Sequence, residues 1–324
     1  MIKGHGDDAY NYQDIRSDFS SNICAGKSHQ ALMGFLAMHP EFISHYPEPE
    51  AWSLEQMIAE QEALEPENIL VTNGATEALY LIAQAFPMQA DIPRPTFSEY
   101  EDACNLFPRI DNQHRMLWLC NPNNPTGDVY DQSVILSSMQ QYDLVVVDCS
   151  YENYTDDFLM PSSWAAQFPN ILHIHSFTKN YGIPGLRLGY IAANETLISH
   201  LRQFLRPWSV SSLAVEAGKF LLQDEHFRCQ PDLNEALRLR EMLQQIDGIL
   251  TQETHTNFIL CQFEENGSAA ELKDFLAKEH HMLIRDASNF RGLTSRHFRI
   301  AAQTPAENDA LVAAIKEFME KREV

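Results

Sequence analysis

The sequence predicts an α/β fold, with a mostly parallel sheet in a large domain and a smaller α+β domain after it. Two observations predict this fold. In the first two thirds of the chain, short apolar runs alternate with segments of helical periodicity, which is typical of a parallel sheet covered by helices. Farther along, amphipathic helices dominate and strands become sparse. The composition, with 44% hydrophobic and 21% charged residues, is that of an ordinary globular protein.

The first part of the chain supplies the predicted sheet. A helix is expected over residues 28–38 and another over 54–64, the latter opened by a capping box of Ser53 and Gln56. A further helix follows residue 74, because apolar residues recur there at spacings of three and four. The predicted strands are short apolar runs, at residues 68–72, 116–120, 144–147, 171–175 and 188–192.

The second part of the chain is mainly helical. Its predicted helices cover residues 195–206, 212–223, 232–246, 269–280 and 306–321, and its predicted strands cover 257–262 and 297–301. We divide the chain into an N-terminal arm (1–27), a large domain (28–222) and a small domain (223–324). The arm is too short to be a domain, so we expect it to pack on the small domain or on a second subunit.

Charge and cysteine content restrict the class of protein. The formal net charge of −22 argues against nucleic acid or an anionic membrane as the main partner. The six cysteines form no CxxC pair and no cluster with zinc spacing, so we expect reduced thiols and no metal site. No apolar run suits a signal peptide or a membrane span. We therefore expect a cytoplasmic location.

Polar residues follow four of the predicted strands, where ligands bind in open parallel sheets. The first strand runs into Gly74-Ala75-Thr76 at a helix start, whose N–H groups and dipole suit a phosphate. The second runs into Asn124 of NPNNPTG, in a loop where the Asn124–Pro125 peptide is a candidate for the cis form. Taken singly, a helix cap and a surface turn are the commoner explanations.

The other two strand ends carry charged residues. Asp148 ends a buried apolar strand, where a carboxylate is costly without a positive partner such as a protonated pyridine. Lys179 follows the next strand, where desolvation can lower a lysine pKa enough for Schiff-base chemistry. Ser176, Thr178 and Arg187 lie within reach of one phosphate. A helix cap and a surface lysine are the alternatives for these two residues.

The four strand ends together suit one ligand. A cofactor that needs a lysine, a phosphate cradle, an acid for a ring nitrogen and a donor for a ring oxygen is pyridoxal 5'-phosphate (PLP). The sequence therefore predicts a PLP enzyme that acts on a small amino acid.

The same segments resemble the fold-type I PLP enzymes of the class I/II aminotransferase group. The resemblance covers nearly the whole chain and includes NPNNPTG, Asp148-x-x-Tyr151 and SFTKNYGIPGLRLG. It implies the aspartate aminotransferase-like fold and a homodimer with shared active sites. It also implies that Lys179 carries PLP as a Schiff base and that Asp148 pairs with the pyridine nitrogen.

The resemblance assigns the remaining cofactor contacts residue by residue. Asn124 and Tyr151 would contact the ring oxygen, and Phe97 would stack on the ring. Tyr46 would reach the phosphate of the neighbouring subunit's cofactor. The residues implied to hold the phosphate in the same subunit are Gly74, Ala75, Thr76, Ser176, Thr178 and Arg187.

Within the group, the chain is similar to threonine-phosphate decarboxylase of the cobalamin pathway and to histidinol-phosphate aminotransferase. The stretches GHGDDAY, DFSSNI, PTFSEYE and IRDASNFRGL favour the decarboxylase, although HGD replaces its usual HGG. Arg299 would bind the substrate carboxylate and Arg285 the substrate phosphate, while His5 and Asn22 would contribute to the substrate site. A local positive patch is expected from Arg285, Arg291, Arg296 and Arg299.

The reaction type stays open at the level of sequence. Loss of the Cα proton to Lys179 leads to transamination, and loss of the carboxylate leads to decarboxylation. Other classes fit less well. Ser176-x-x-Lys179 matches a hydrolase motif whose companion motifs are missing, and Gly4-x-Gly6-x-x-Ala9 matches a dinucleotide pattern without a preceding strand. A regulatory ligand-binding module would lack the lysine or carry a basic extension.

Overall fold

A computed structural model describes residues 9–24, 28–109, 113–265 and 267–322. Its largest sheet has six strands in the order β2-β7-β6-β5-β4-β3. The strands are β2 (Ile69–Thr72), β3 (Gln89–Asp91), β4 (Arg115–Cys120), β5 (Leu144–Asp148), β6 (Ile171–Ser176) and β7 (Gly189–Ala193). Strands β3 to β6 run parallel, and β7 is antiparallel to both of its neighbours, β6 and β2. The predicted α/β fold with a mostly parallel sheet is confirmed.

The sheet register brings the carboxyl ends of four strands to one edge. Cys120 at the end of β4 pairs with Asp148 at the end of β5, and Asp148 pairs with Ile174 of β6. Strand β2 runs in the same direction, because two antiparallel pairings through β7 connect it to β6. The residues that follow β2, β4, β5 and β6 therefore meet at the same edge.

Helices cover both faces of this sheet. They are α1 (Gln30–Met38), α2 (Trp52–Glu62), α3 (Gly74–Ala85), α4 (Glu99–Leu106), α5 (Gln132–Ser138), α6 (Ser162–Ala165), α7 (Phe177–Asn180), α8 (Glu195–Arg202) and α9 (Ser212–Leu221). Strands β2, β5, β6 and β7 are buried along their whole length. Apolar, β-branched runs such as LVVV suit these positions, since both faces of each strand contact a helix layer.

The C-terminal part forms a four-stranded antiparallel sheet with helices packed on it, in the strand order β11-β12-β9-β8. Its elements are α10 (Leu233–Gln244), β8 (Ile249–Thr251), β9 (Phe258–Phe263), α11 (Ala269–His280), β10 (Met282–Leu283), β11 (Arg285–Asp286), β12 (His297–Ala301) and α12 (Pro305–Arg322). The N-terminal segment β1 (Ser17–Asp18) pairs in parallel with β10. Phe19 is fully buried in the core of this part of the chain.

One local prediction is wrong. The helix expected at 54–64 begins at Trp52, so Ser53 lies inside its first turn and is not the residue that caps it. The backbone N–H of Ser53 donates to the Glu48 carboxylate at 2.9 Å. The amide that a capping box would have bonded is therefore already satisfied by Glu48. The cis form expected at Asn124–Pro125 is present, and Arg94–Pro95 and Asn121–Pro122 are also cis. None of the helices in the described residues has the length and apolar character that crossing a bilayer requires.

Candidate active site

A cavity of about 380 Å³ opens at the sheet edge where the four strands end. Residues of both sheets and of the N-terminal segment line it. The predicted site residues among them are Asn22, Ala75, Thr76, Phe97, Asn124, Asp148, Tyr151, Ser176, Thr178, Lys179, Arg187, Arg285 and Arg299. Three polypeptide segments far apart in sequence thus form one concave site, as expected for a small-molecule ligand.

The turn between β2 and α3 forms one end of the cavity. Gly74 has a φ of +80°, and a Cβ atom there would lie 2.7 Å from an Nη atom of Arg187. Arg187 Nη1 donates to the Pro184 carbonyl at 3.1 Å and lies 3.5 Å from the Thr178 hydroxyl. Within the described residues, the Asn73 side chain forms no hydrogen bond that caps α3. The first amides of α3 and a guanidinium therefore face the same space, which suits a phosphate.

Lys179 lies on the short helix α7, directly after β6. The Tyr154 hydroxyl donates to the Lys179 carbonyl at 3.0 Å and accepts from the Cys24 amide at 3.1 Å, which fixes the lysine backbone. The Lys179 Nζ atom lies 5.7 Å from the centre of the Tyr151 ring. The amine thus extends along an aromatic face into the cavity.

Asp148 is buried at the end of β5. Its Oδ1 accepts from the Ser150 amide at 2.9 Å and its Oδ2 accepts from the Tyr100 hydroxyl at 2.8 Å. Burial raises the pKa of this carboxyl, and the hydrogen bonds from Ser150 and Tyr100 act in the opposite direction. A cationic ligand group beside Asp148 would favour the ionised carboxylate.

Asn124 and Tyr151 lie on the side of the cavity next to the second sheet. Arg299 donates to the Asn124 amide oxygen, so the NH₂ end of Asn124 is the group that can donate to a ligand. The Tyr151 hydroxyl accepts from Asn22 Nδ2 at 3.3 Å. Burial raises the pKa of Tyr151 to about 12, which keeps its hydroxyl protonated and able to donate.

Two arginines approach the cavity from neighbouring strands. Arg285 of β11 and Arg299 of β12 are directly opposite each other in the antiparallel register. Arg285 Nη2 donates to Asn289 at 2.8 Å, and Arg299 Nη2 donates to the Ser20 carbonyl at 2.7 Å. Burial lowers the pKa of Arg299 to about 10, and its Nε atom has no hydrogen-bond partner among the described residues. An anionic ligand group would stabilise the buried guanidinium charge and would accept a hydrogen bond from Nε.

The expected patch of four arginines is only half correct. Arg291 is 58% exposed and pairs with Glu101. Arg296 donates to the backbone carbonyls of Phe263 and Glu264, at 3.3 and 2.7 Å. Arg285 and Arg299 reach the cavity because they are paired on β11 and β12, whereas Arg291 and Arg296 lie in the loop that connects these strands.

Among the described residues, the predicted cofactor contact Tyr46 does not line this cavity. Tyr46 is 85% exposed, and its ring centre lies 5.4 Å from that of Trp208. His5 lies outside the described residues. Gly74 lies in the turn between β2 and α3, next to the lining residues Ala75 and Thr76, and is not itself among the lining residues.

Sequence reasoning missed several residues that line the cavity. Tyr100 hydrogen-bonds to Asp148, the Ser20 carbonyl holds Arg299, and Phe290 lies under the Arg285 guanidinium with 5.5 Å from its central carbon to the ring centre. The motif PTFSEYE contains Tyr100 and was a signal for it. Ser20 and Phe290 lie in the stretches DFSSNI and IRDASNFRGL, but their individual roles depend on tertiary contacts that these stretches do not indicate.

A buried polar cluster lies beside the site. Donor atoms of Cys149, His173 and His175 lie within 4.8 Å of one another, a grouping that their sequence spacing did not indicate. The ring nitrogens of His175 already contact the Glu152 carboxylate at 2.9 Å and the Ser162 hydroxyl at 2.8 Å. Both ring nitrogens of His175 thus have hydrogen-bond partners, so a metal ion is not needed to explain why this side chain is buried.

Residues 107–315 match the model of a family described as aminotransferase class I and II. The fold is similar to the crystal structure of L-threonine-O-3-phosphate decarboxylase from Porphyromonas gingivalis, with a TM-score of 0.89 and 36% identity over 94% of this chain and 100% of that one. The chain is 28% identical to threonine-phosphate decarboxylase of Salmonella typhimurium, covering 92% of this chain and 90% of the relative. It is 30% identical to histidinol-phosphate aminotransferase of Caldanaerobacter subterraneus, covering 86% and 85%.

Proposed function

The chain belongs to the aminotransferase class I and II family, and we propose that it uses PLP to decarboxylate a short phosphorylated amino acid. The proposed substrate belongs to the same class as L-threonine O-3-phosphate, and the proposed pathway is cobalamin biosynthesis. A transaminase of the histidinol-phosphate type is the alternative, because relatives of both kinds are similar over most of the chain. One observation carries the choice, namely the similarity of the fold to L-threonine-O-3-phosphate decarboxylase of Porphyromonas gingivalis, at 36% identity and a TM-score of 0.89.

The residues of the cavity fit PLP. The turn at Gly74 leaves a cradle that a Cβ atom would fill, and the Arg187 guanidinium borders it. Asp148 is a buried carboxylate for which a protonated pyridine nitrogen is a suitable partner. Lys179, the group that would attach the cofactor, is in the same cavity. When bound, PLP draws electrons from a bond at the Cα atom of an attached amino acid.

In this proposal, each cofactor-binding residue has a defined role. Ser176, Thr178 and Arg187, with the α3 amides, would bind the cofactor phosphate. Asp148 would hold a proton on the ring nitrogen, while Asn124 and Tyr151 would donate to the ring oxygen. Phe97 would lie on the ring face. Lys179 would attach the cofactor and, once substrate displaces it, exchange protons at the Cα position.

The arginine pair supports a short substrate with two anionic groups. Residues directly opposite in an antiparallel pair have Cα atoms about 4.5–5.5 Å apart. Threonine phosphate carries a carboxylate and a phosphate on neighbouring carbon atoms of one short chain, so one arginine can bind each. Histidinol phosphate has a phosphate and no carboxylate and would use only one of the two, whereas the 2-oxoglutarate of a transaminase has two carboxylates and would also use both. Asn22 and His5 complete the proposed substrate site.

The test is to incubate PLP-loaded protein with L-threonine O-3-phosphate, and separately with L-histidinol phosphate plus 2-oxoglutarate. We expect CO₂ from the first mixture and no glutamate from the second. Lys179→Ala should release no CO₂, and Lys219→Ala, which changes a lysine of α9 paired with Glu216, should act like the wild type. Glutamate without CO₂ would contradict the decarboxylase and favour the transaminase.

The proposal includes a homodimer with shared active sites. Tyr46 is exposed together with Trp208, Trp52 and Ile43, a set of large apolar side chains that a second subunit would cover. Tyr46 would then reach the partner's cofactor phosphate. Sedimentation of the holoenzyme checks this, and a fully active monomer would contradict it.

The proposed location is the cytoplasm. The six cysteines all lie within the described ranges and none of them forms a disulfide, which agrees with a reducing compartment. Fractionation of cells that produce the protein would check this.

A further inference from the structure

The Tyr100 side chain is fully buried where the large sheet meets the cavity. Its ring stacks on Trp118, with centres 5.4 Å apart and an angle of 20° between the planes. It also meets Phe97 edge to face, with centres 5.8 Å apart. Tyr100 thus contacts the proposed ring-stacking residue, and its hydroxyl hydrogen-bonds to the proposed acid, Asp148.

The Tyr100 hydroxyl acts as a donor to Asp148. Burial, and then the negative charge of Asp148, raise the pKa of Tyr100 well above its usual value, so the hydroxyl keeps its proton. With the Ser150 amide on Oδ1 and Tyr100 on Oδ2, both carboxylate oxygens of Asp148 are held. The carboxylate therefore has a fixed orientation, and lone pairs remain on each oxygen for a ligand.

We infer that Tyr100 is a positioning residue that keeps the Asp148 carboxylate oriented and ionised for the cofactor's ring nitrogen. The inference rests on the proposed function and adds a residue that the motifs did not assign. Without the hydroxyl, buried Asp148 would lose its contact on Oδ2 and would take up a proton more readily. A protonated Asp148 could no longer stabilise a positive ring nitrogen.

A purely structural role for Tyr100 makes a different prediction. The Tyr–Asp bond could simply satisfy a buried carboxylate, and its loss would then lower stability without affecting the cofactor. Tyr80 offers a matched control, because its hydroxyl donates to Glu99 Oε2 at 2.9 Å and it does not line the cavity. Tyr80→Phe removes a partly buried Tyr–carboxylate bond from the neighbouring helix α3.

The experiment measures the Kd for PLP, by absorbance titration, in wild type, Tyr100→Phe and Tyr80→Phe. A hydrogen bond to a charged group corresponds to a change of roughly tenfold or more, so Tyr100→Phe should weaken PLP by about that factor. Tyr80→Phe should bind PLP like the wild type. In an Asp148→Asn background, Tyr100→Phe should have little further effect, since its partner charge is gone.

The possible results separate this inference from the proposed function. Unchanged PLP affinity in Tyr100→Phe, with wild type binding PLP, would overturn the inference alone. Equal weakening by Tyr100→Phe in the wild-type and Asp148→Asn backgrounds would overturn it too, because the effect would not pass through Asp148. A wild type that binds no PLP would refute the proposed function itself.

Discussion

At the scale of single residues, the two cavity arginines differ in what holds them. Arg299 is fixed by contacts to Asn124 and to the Ser20 carbonyl, so it is tied to the cofactor side of the site. Arg285, on the adjacent strand β11 of the same small sheet, contacts Asn289 and lies over the Phe290 ring. Under the proposed function, this arrangement agrees with Arg299 binding the substrate carboxylate and Arg285 binding the second anionic group.

Replacing Arg285 therefore tests the second anion. We expect Arg285→Ala to raise the KM for L-threonine O-3-phosphate by roughly tenfold or more, since a charge-assisted contact is lost. PLP affinity should stay near the wild-type value. Arg291→Ala, which changes an exposed arginine paired with Glu101, is the control and should leave KM unaltered. An unchanged KM in Arg285→Ala would remove the phosphate from the proposed substrate.

Site residues that belong to continuous motifs could be predicted from the sequence. Fewer could be predicted among the residues whose roles depend on tertiary contacts. Lys179 and Asp148 follow recognisable strands, so their position at one sheet edge follows from the topology. Arg291 and Arg296 share a short segment with the cavity arginines, but they lie in the loop between β11 and β12 and not in the paired strands. The Tyr100 contact could not be predicted, because it joins α4 to β5 across the core.

At the scale of elements, the turn from β2 into α3 decides whether a phosphate can approach the helix amides. Gly74 combines a positive φ with close approach of the Arg187 side chain. A side chain at this position would be strained by the backbone and would also push the guanidinium away. The turn therefore requires glycine for two separate reasons.

Gly74→Ala should weaken PLP binding by roughly tenfold and lower the thermal stability, because alanine at positive φ costs about 1 kcal/mol or more. Gly34→Ala is the matched control. Gly34 lies inside α1, and a Cβ atom added there would meet nothing within 4 Å, so alanine should keep PLP affinity and favour the helix. Wild-type PLP affinity in Gly74→Ala would show that the turn does not bind the phosphate.

Elements differed in how well the sequence predicted them. Buried strands such as β5 were predicted because an apolar, β-branched run bounded by polar residues fits little else. The start of α2 was predicted wrongly, since the Glu48 carboxylate from the preceding loop satisfies the Ser53 amide. Helix starts depend on single side-chain contacts, and several residue types can make them.

At the scale of the whole molecule, the cavity depends on segments that are far apart in sequence. The N-terminal segment is attached to the C-terminal part of the chain by the pairing of β1 with β10 and by a hydrogen bond from the Ala301 amide of β12 to the Phe19 carbonyl at 2.9 Å. That attachment brings Asn22 to Tyr151 and the Ser20 carbonyl to Arg299. The sequence predicted that the arm packs on the small domain or on a second subunit, and the side of the cavity that it completes follows only from the tertiary structure.

We propose that the four strand ends bind one PLP molecule through Lys179. The most direct measurement is to reduce PLP-loaded protein with borohydride, digest it and locate the pyridoxyl group by mass spectrometry. We predict the label on the peptide that contains Lys179, with its loss in Lys179→Ala. A label on another lysine, such as Lys219 or Lys273, or no label at all, would show that PLP is not attached through Lys179.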